Sequence, residues 1–312
     1  MEVVRDAINL KAKHRGSVVT IGNFDGVHRG HQMLLKQIKE KSLALGVPCM
    51  LVCFEPQPKE YFDEYNAPAR LTRFREKVHL LEQFGVDIVL CMKFNERTRT
   101  MQPDDFVAML VKQIAVKALF VGDDFHFGEG RRGNFQTLQK AGDEFGFEVS
   151  NLRTMTHEND RVSSTLVREL LAEGKFVEAE DLLGHPYFIM GKVVYGMQLG
   201  RTLGTPTANI QLHRDRAPIS GVYAVEMHGL DKTYFGVANV GVKPTVNADI
   251  VKPALEVHLF DFKGSIYGQS VKVMFRHKIR EEKKFDGLDA LKSAIAEDVK
   301  EAKRFFKGYL QS

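Results

Sequence analysis

The sequence predicts a two-part chain: an α/β region built on a parallel sheet, then an antiparallel β-barrel or sandwich closed by a terminal helix. Three observations support this. Short apolar runs alternate with helical patterns up to about residue 184, β-rich segments separated by turn residues follow, and an amphipathic run ends the chain. Repeated βα units imply a parallel sheet with helices on its faces. We therefore predict one domain over residues 1–184 and a second over residues 185–312.

The first domain alternates strands with helices. Buried strands are predicted for the apolar runs at 17–22, 48–54, 87–94, 118–122 and 147–152. Helices are predicted at 30–46, 72–85, 103–115, 134–146, 164–173 and 176–183. In such a sheet, ligands bind at the carboxyl ends of the strands.

The second domain is β-rich. Strands are predicted at 188–196, 221–229, 233–241, 254–262 and 269–279, separated by Gly, Pro or Asn-Ala-Asp turns. The stretch "LEVHLFDF" (255–262) alternates polar with apolar residues, as expected for a strand with one buried face. The terminal helix, 288–310, is predicted to bury Leu288, Leu291, Ile295, Val299 and Phe306.

Composition limits the possible partners and location. The chain is 44% hydrophobic and 27% charged, as in a soluble globular protein, and no apolar run approaches the roughly 20 residues that span a bilayer. Three cysteines favour a reducing cytoplasm. Residues 1–184 carry a net charge of −2 and residues 185–312 one of +6, and no nucleic-acid-binding signature is present. We predict a cytoplasmic protein with no membrane or nucleic-acid partner.

The stretch "TIGNFDGVHRGHQ" (20–32) lies between the first predicted strand and helix. Its glycines let backbone N–H groups approach a ligand, and the helix start favours phosphate. His28 and His31 are placed to face one point, where their N–H groups would hold triphosphate oxygens. Two alternatives are a metal site, which lacks a third ligand nearby beyond Asp25, and a plain glycine turn.

Two further stretches of the first domain carry polar groups. "RVSSTLVRELL" (161–171) sets hydroxyls at a helix start beside Arg168, which suits a phosphate clamp, although the serines alone would also serve as a helix cap. "VGDDFHFGEGRRGN" (121–134) follows a strand and mixes acidic, aromatic and basic residues. That mixture suits an aromatic phosphorylated ligand, and it is also common in exposed loops.

In the second domain, "GRTLGTPTANI" (200–210) presents Thr207 and Asn209 as uncharged oxygen ligands suited to Mg²⁺. The alternative is a polar loop. Glu256 lies among apolar residues in a predicted strand, where a carboxylate could accept a proton from a hydroxyl nucleophile. A solvent-facing position is the commoner role of such a residue.

The quoted stretches, with "FEPQP", "LTRFREK", "GVYAV", "NVGVKPTV" and "IREEKKF", together resemble the bacterial bifunctional riboflavin kinase/FAD synthetases over essentially the whole chain. The resemblance implies a Rossmann-like nucleotidyltransferase domain and a six-stranded antiparallel barrel. It also implies the use of ATP and Mg²⁺ to convert riboflavin to FMN in the barrel and FMN to FAD in the first domain.

The resemblance implies a role for each site residue. Catalysis would fall to Glu256, as general base, and to His28 and His31. ATP would be bound by Gly22, Asn23, Phe24, Asp25, Gly30, Ser164, Thr165, Arg168, Gly204 and Thr205. The flavin would be bound by Asp124, Phe125, Arg161 and Arg280, and Mg²⁺ by Thr207 and Asn209. Five positions depart from the family's usual residues, namely Gln57, Arg73 (where the family more often has Thr), His126, Asn134 and Thr205.

Two rival functions fit the same residues less well. One is an adenylyltransferase whose barrel only binds flavin, which the intact Thr207, Asn209 and Glu256 argue against. The other is a flavin or nucleotide sensor without turnover, which the retained His28 and His31 make less favoured. The sequence alone excludes neither of these two functions.

Overall fold

The computed structural model describes residues 1–122, 124–152, 156–157, 160–196, 205–244 and 251–311. The chain forms two compact units. The first comprises Met1–Pro68 and Lys77–Ser163, and the second comprises Ala69–Glu76 and Ser164–Ser312. The boundary between residues 184 and 185 stays a prediction.

The first unit is built on a six-stranded, all-parallel sheet, as the sequence predicts. Its strand order is β1-β4-β3-β2-β5-β6. The strands are β1 (Glu2–Arg5), β2 (Val18–Ile21), β3 (Cys49–Glu55), β4 (Ile88–Lys93), β5 (Ala118–Gly122) and β6 (Glu148–Leu152). Strand β1 was not predicted; it pairs with β4 at one edge of the sheet.

Helices follow these strands. They are α1 (Arg29–Leu45), α2 (Pro58–Phe62), α3 (Phe74–Gln83), α4 (Glu96–Arg99), α5 (Pro103–Ala108), which continues as a π-helical turn over Met109–Ile114, and α6 (Phe135–Phe145). Helix α1 ends at Gly46 in a left-handed conformation, as the sequence predicts.

Two short strands, β7 (Thr156–His157) and β8 (Asp160–Arg161), form a hairpin before the helix that begins at Ser164. Helix α3 begins in the second unit and continues in the first.

The second unit contains a closed six-stranded antiparallel barrel with strand order β10-β13-β12-β11-β14-β9. Its strands are β9 (Phe188–Val194), β10 (Ala208–Ile210), β11 (Gly221–His228), β12 (Tyr234–Pro244), β13 (Val251–Leu259) and β14 (Ser270–Arg280). Helices α7 (Ser164–Ala172), α8 (Phe176–Leu183) and α9 (Leu288–Tyr309) belong to the same unit. The barrel confirms one of the two architectures left open by the β-rich pattern.

Helix α9 packs against the outer face of the barrel. Ala302 and Phe306 cluster there with Val222, Ala224 and Val237. The predicted apolar face is right for Phe306 and wrong for Leu288, which is 65% exposed at the first turn.

None of the helices in the described part of the chain combines the length and apolar character needed to cross a bilayer. All three cysteines are free thiols and buried. Cys49 and Cys53 lie on β3 as core residues, as predicted.

Candidate active sites

The loop after β2 is held in an unusual backbone conformation. Its start is fixed by the Gly22 N–H, which donates to the Val52 carbonyl oxygen at 3.0 Å. Phe24 and Val27 both have positive φ, 48° and 44°, which is costly for side chains bearing a Cβ and most of all for a β-branched one. Such strain is of order 1–3 kcal/mol per residue and is found mainly at functional sites. Both residues are buried, with Asp25 between them, so packing holds the loop in this shape.

The two histidines meet where this loop enters α1. His28 immediately precedes the helix and His31 lies in its first turn. Their rings stack with centroids 3.7 Å apart, and His31 also stacks on Phe24 at 4.6 Å. Burial, then the neighbouring His28 and Lys77, hold the pKa of His31 well below its usual value. His31 is therefore a neutral imidazole at physiological pH.

Several buried polar atoms on the elements around this loop make no hydrogen bond within the described residues. Thr20 lies near the end of β2, Gln57 follows β3, and His31 and Lys77 lie on α1 and α3. Four buried side-chain atoms lack a hydrogen bond within the described residues: Thr20 Oγ1, His31 Nδ1, Gln57 Nε2 and Lys77 Nζ. Buried polar atoms are normally satisfied, so a concentration of exceptions marks a place built to meet a ligand.

The loop after β5 lies at the same edge, because β5 pairs with β2 in parallel. Asp124 is exposed, and the half-buried Phe125 stacks on Phe127 with centroids 5.8 Å apart. The Nδ1 atom of His126 lies 2.8 Å from the Asp124 carbonyl oxygen. Asn134 caps α6, with its Oδ1 accepting from the Thr137 N–H at 3.1 Å.

An aromatic cluster at the ends of β3 and β4 was missed by the sequence reasoning. Four rings pack edge to face, with ring centroids 5.3–5.9 Å apart: those of Phe54, Tyr61, Phe62 and Phe94. Phe62, on α2, is 65% exposed. The available signal was the aromatic pair that follows "FEPQP", next to a strand end.

The segment before α7 approaches the His28–His31 motif. A Cβ added to Gly30 would lie 3.9 Å from the Val162 carbonyl oxygen, two residues before Ser164. In the second unit, Ser164 starts α7, Thr165 is exposed, and the Arg168 Nε donates to the Ala69 carbonyl oxygen at 2.5 Å. Arg161 belongs to β8, and its side chain lies outside the described part of the structure.

The barrel places Glu256 between two asparagines. Asn209 on β10 and Asn239 on β12 both pair with Glu256 on β13, one from each side. Directly paired residues share a face of the sheet, so the three side chains form a row. Leu255 and Val257, on either side of Glu256 in the chain, are buried, whereas Glu256 is half-buried. The row therefore lies on the outer wall of the barrel.

Neighbouring groups shape this wall. A Cβ at Gly196 would lie 2.3 Å from the Asn209 amide nitrogen, so only glycine allows that amide to pack there. A cavity of about 310 Å³ borders Asn209. Thr205 and Thr207 are half-buried, and the intervening Pro206 carbonyl oxygen lies 3.0 Å from the Nδ1 of His258. Gly204 lies outside the described residues.

Arg280 continues the row, because Val222 pairs with both Asn239 and Arg280. Its guanidinium makes a bidentate ion pair with Asp298 of α9, with both N–O distances at 2.7 Å. A flavin or phosphate contact at Arg280 would have to share the guanidinium with this carboxylate.

Two protein families match this chain. A family described as FAD synthetase matches residues 10–166, and one described as riboflavin kinase matches residues 183–306. The chain is 49% identical to the bifunctional riboflavin kinase/FMN adenylyltransferase of Escherichia coli K12, over 98% of each protein. It is 50% identical to the enzyme of the same description from Pseudomonas fluorescens, over 97% of each.

A solved structure has the same fold. A crystal structure described as a macrolide-efflux protein from Streptococcus pneumoniae superimposes with a TM-score of 0.79 at 29% identity, covering 96% of this chain and 97% of that one.

Proposed function

We propose a residue-level division of labour for this chain, which belongs to the family of bifunctional riboflavin kinases/FMN adenylyltransferases. The enzyme phosphorylates riboflavin to FMN and adenylylates FMN to FAD, with ATP as the donor in both reactions. The proposal assigns the first step to the Asn209–Glu256–Asn239 row and the second to the His28–His31 loop.

In the kinase step, the ribityl 5′-hydroxyl oxygen of riboflavin attacks the γ-phosphorus of ATP, and ADP leaves. Glu256 accepts the hydroxyl proton on a carboxylate oxygen as the new O–P bond forms. The amides of Asn209 and Asn239 flank this residue and can each donate an N–H to fix a carboxylate. The position of Glu256 between two such donors, rather than on an open strand face, supports its assignment as the base.

The residues present fit a Mg²⁺ ion. Thr207 and Asn209 offer uncharged oxygens next to the Glu256 carboxylate, and Mg²⁺ commonly combines few protein ligands with substrate phosphates and water. No cluster of three or more His, Cys, Asp or Glu side chains suited to a metal exists among the described residues. When bound, the ion would neutralise charge on the transferring phosphoryl group. Thr207 and Asn209 would hold it.

In the adenylyl step, a phosphate oxygen of FMN attacks the α-phosphorus of ATP, and pyrophosphate leaves. The imidazoles of His28 and His31 donate N–H hydrogen bonds to the triphosphate oxygens on which charge develops, and burial keeps the His31 ring neutral. Ser164, Thr165 and Arg168 are also proposed to bind ATP. The loop residues proposed to bind this ATP are Gly22, Asn23, Phe24, Asp25 and Gly30. For the ATP of the kinase step, the proposed binding residues are Gly204 and Thr205.

Flavin contacts are proposed at both sites. Asp124, Phe125 and Arg161 would meet FMN in the first unit, where the exposed Phe62 of the aromatic cluster adds a flat apolar surface. Arg280 would meet the flavin or its phosphate at the barrel. The cytoplasmic location and the lack of nucleic-acid or membrane partners stay predictions from composition.

A single set of incubations tests the assignment. Three proteins are compared: wild type, Glu256→Ala and the control Thr233→Ala, an exposed change in the barrel. Each is incubated with ATP and Mg²⁺ plus either riboflavin or FMN, and the flavins are separated. We expect Glu256→Ala to lose FMN formation and to keep FAD formation from FMN. Loss of both reactions in a folded Glu256→Ala protein would contradict the two-site assignment. Riboflavin left unchanged by wild-type protein would favour a barrel that only binds flavin.

A further inference from the structure

Gly241 leaves room for a carboxylate on the outer wall of the barrel. It lies on β12 two residues after Asn239, so both residues face the same side of the strand. A Cβ added to Gly241 would lie 2.0 Å from Glu282 Oε1 and 3.1 Å from the side-chain Nδ2 of Asn239. The Glu282 carboxylate therefore occupies the space that a side chain at Gly241 would fill, beside the Asn209–Glu256–Asn239 row.

A second glycine lets the chain reach this position. Glu282 follows β14, and the segment that carries it crosses the start of β11 at Gly221. A Cβ at Gly221 would lie 2.5 Å from the Arg280 carbonyl oxygen and 3.4 Å from the Glu281 Cα. The φ of Gly221 is also +124°, which side chains bearing a Cβ rarely adopt. The two glycines belong to the stretches "GVYAV" and "NVGVKPTV", and both make room for the segment that ends in Glu282.

The Glu282 carboxylate differs from the charged groups next to it in having no partner among the described residues. Glu281 pairs with Lys278 at 2.6 Å, and Arg280 makes its bidentate ion pair with Asp298. Glu282 is exposed and makes neither a hydrogen bond nor an ion pair within the described part of the chain. Its two oxygens can therefore accept hydrogen bonds from a bound molecule.

Riboflavin offers this carboxylate several hydroxyl groups. Its ribityl chain ends in the 5′-hydroxyl that is phosphorylated, and it carries further hydroxyls on the neighbouring carbons. Carboxylates accept short, strong hydrogen bonds from hydroxyl groups. Asn239, opposite Glu256, and Gly241, beneath Glu282, are two residues apart, which is about 7 Å along a strand. One ribityl chain can therefore present its terminal hydroxyl to Glu256 and an inner hydroxyl to Glu282.

We propose that Glu282 binds an inner hydroxyl of the ribityl chain and so directs the 5′-hydroxyl of riboflavin towards Glu256. The negative charge of this carboxylate repels the phosphates of ATP, which favours the uncharged polyol as its ligand. Gly241 is needed because a Cβ there would push the carboxylate off the wall. This inference rests on the role proposed above for Glu256.

The test compares riboflavin phosphorylation by full-length Glu282→Ala with that by Glu281→Ala, a control with the same change of charge one residue away. We expect Glu282→Ala to lower kcat/KM for riboflavin about tenfold through loss of one hydrogen bond to a charged group, with the KM for ATP unchanged. Glu282→Gln keeps an acceptor oxygen and should recover part of the loss.

A second substrate separates the inner hydroxyls from the reacting one. A flavin with a 5-hydroxypentyl chain in place of ribityl has the terminal hydroxyl but no inner ones, so its kcat/KM should be the same in Glu282→Ala and wild type. An equal loss with both substrates, a raised requirement for ATP or Mg²⁺, or full activity of Glu282→Ala on riboflavin would overturn the proposal.

Gly241→Ala tests the packing that holds the carboxylate. It should lower kcat/KM for riboflavin in the wild-type background and have little further effect in Glu282→Ala, where the displaced group is already absent. Additive losses in the double variant would also contradict the proposal. Wild-type rates of riboflavin phosphorylation by Glu256→Ala would instead refute the base proposed above, whatever the result at Glu282.

Discussion

Asn239 lies directly opposite Glu256 on the neighbouring antiparallel strand of the barrel. Because its amide can donate to the carboxylate, replacing Asn239 should leave Glu256, the proposed general base, poorly oriented. We predict that Asn239→Leu lowers kcat of riboflavin phosphorylation about tenfold while FAD formation from FMN is unchanged. Thr233→Leu, an exposed change in the same hairpin, is the control. Equal phosphorylation rates in Asn239→Leu and the control would show that Asn239 does not position Glu256.

Breaking the buried Glu76–Arg214 ion pair by removing one partner should strongly destabilise the second unit. Both side chains are almost fully buried, at 1% and 3% exposed. Replacing Arg214 by Met leaves the Glu76 charge without its main partner, which should cost about 3–5 kcal/mol in the free energy of unfolding. Urea unfolding followed by residual riboflavin kinase activity measures the change.

Lys300→Met serves as the control for this prediction. It removes one partner of a solvent-exposed pair, Lys300–Glu297, and should change little. If Arg214→Met unfolds at the same urea concentration as Lys300→Met, the buried pair does not stabilise the second unit.

Stability should fall on acidification through His31. Its pKa in the folded protein is lowered because burial penalises the imidazolium. The unfolded chain therefore binds more protons below about pH 6.5, and the free energy of unfolding decreases as the pH falls through that value towards the folded-state pKa. Thermal unfolding at pH 7.0 and 5.5 should show a smaller drop in Tm for His31→Gln than for wild type. Identical drops would mean that His31 is not held neutral by the fold.

Asn134 should act in helix stability rather than in flavin binding. Its side chain caps α6 through the Thr137 N–H, so Asn134→Ala should lower the free energy of unfolding by about 1 kcal/mol. Asn134→Asp keeps a cap and serves as the control. The KM for FMN should be the same in all three proteins. A raised KM in Asn134→Ala without a loss of stability would place this residue in the flavin site instead.

Much of the fold was predictable because its central strands are apolar and its helices periodic. Two strands of the six-stranded sheet and the barrel, β1 and β10, were not predicted, and neither was the short β7–β8 hairpin. Strand β1 is four residues long at a sheet edge with one buried residue, and β10 is three residues long within the polar "PTANI". Each depends on a neighbouring strand for its conformation, so neither produces a local pattern of its own.

The residues that surround the proposed chemical groups were less predictable than the groups themselves. Glu256, His28 and His31 occur in motifs, whereas Asn239 matters only through the register of β12 against β13. From its place in the sequence, Lys77 would be predicted to lie on the exposed surface of a helix, and only tertiary packing buries it. Leu288 shows the reverse case, since its periodic position predicts burial, but it is exposed and does not join the cluster that Phe306 forms with the barrel.

The most direct test of the two-site account is a complementation assay with riboflavin, ATP and Mg²⁺. His31→Ala should stop at FMN, and Glu256→Ala should leave riboflavin unconverted. A mixture of the two variants should produce FAD, since FMN released by one is the substrate of the other. FAD made from riboflavin by either variant alone, or none made by the mixture, would contradict the assignment of the two steps to Glu256 and to the His28–His31 loop.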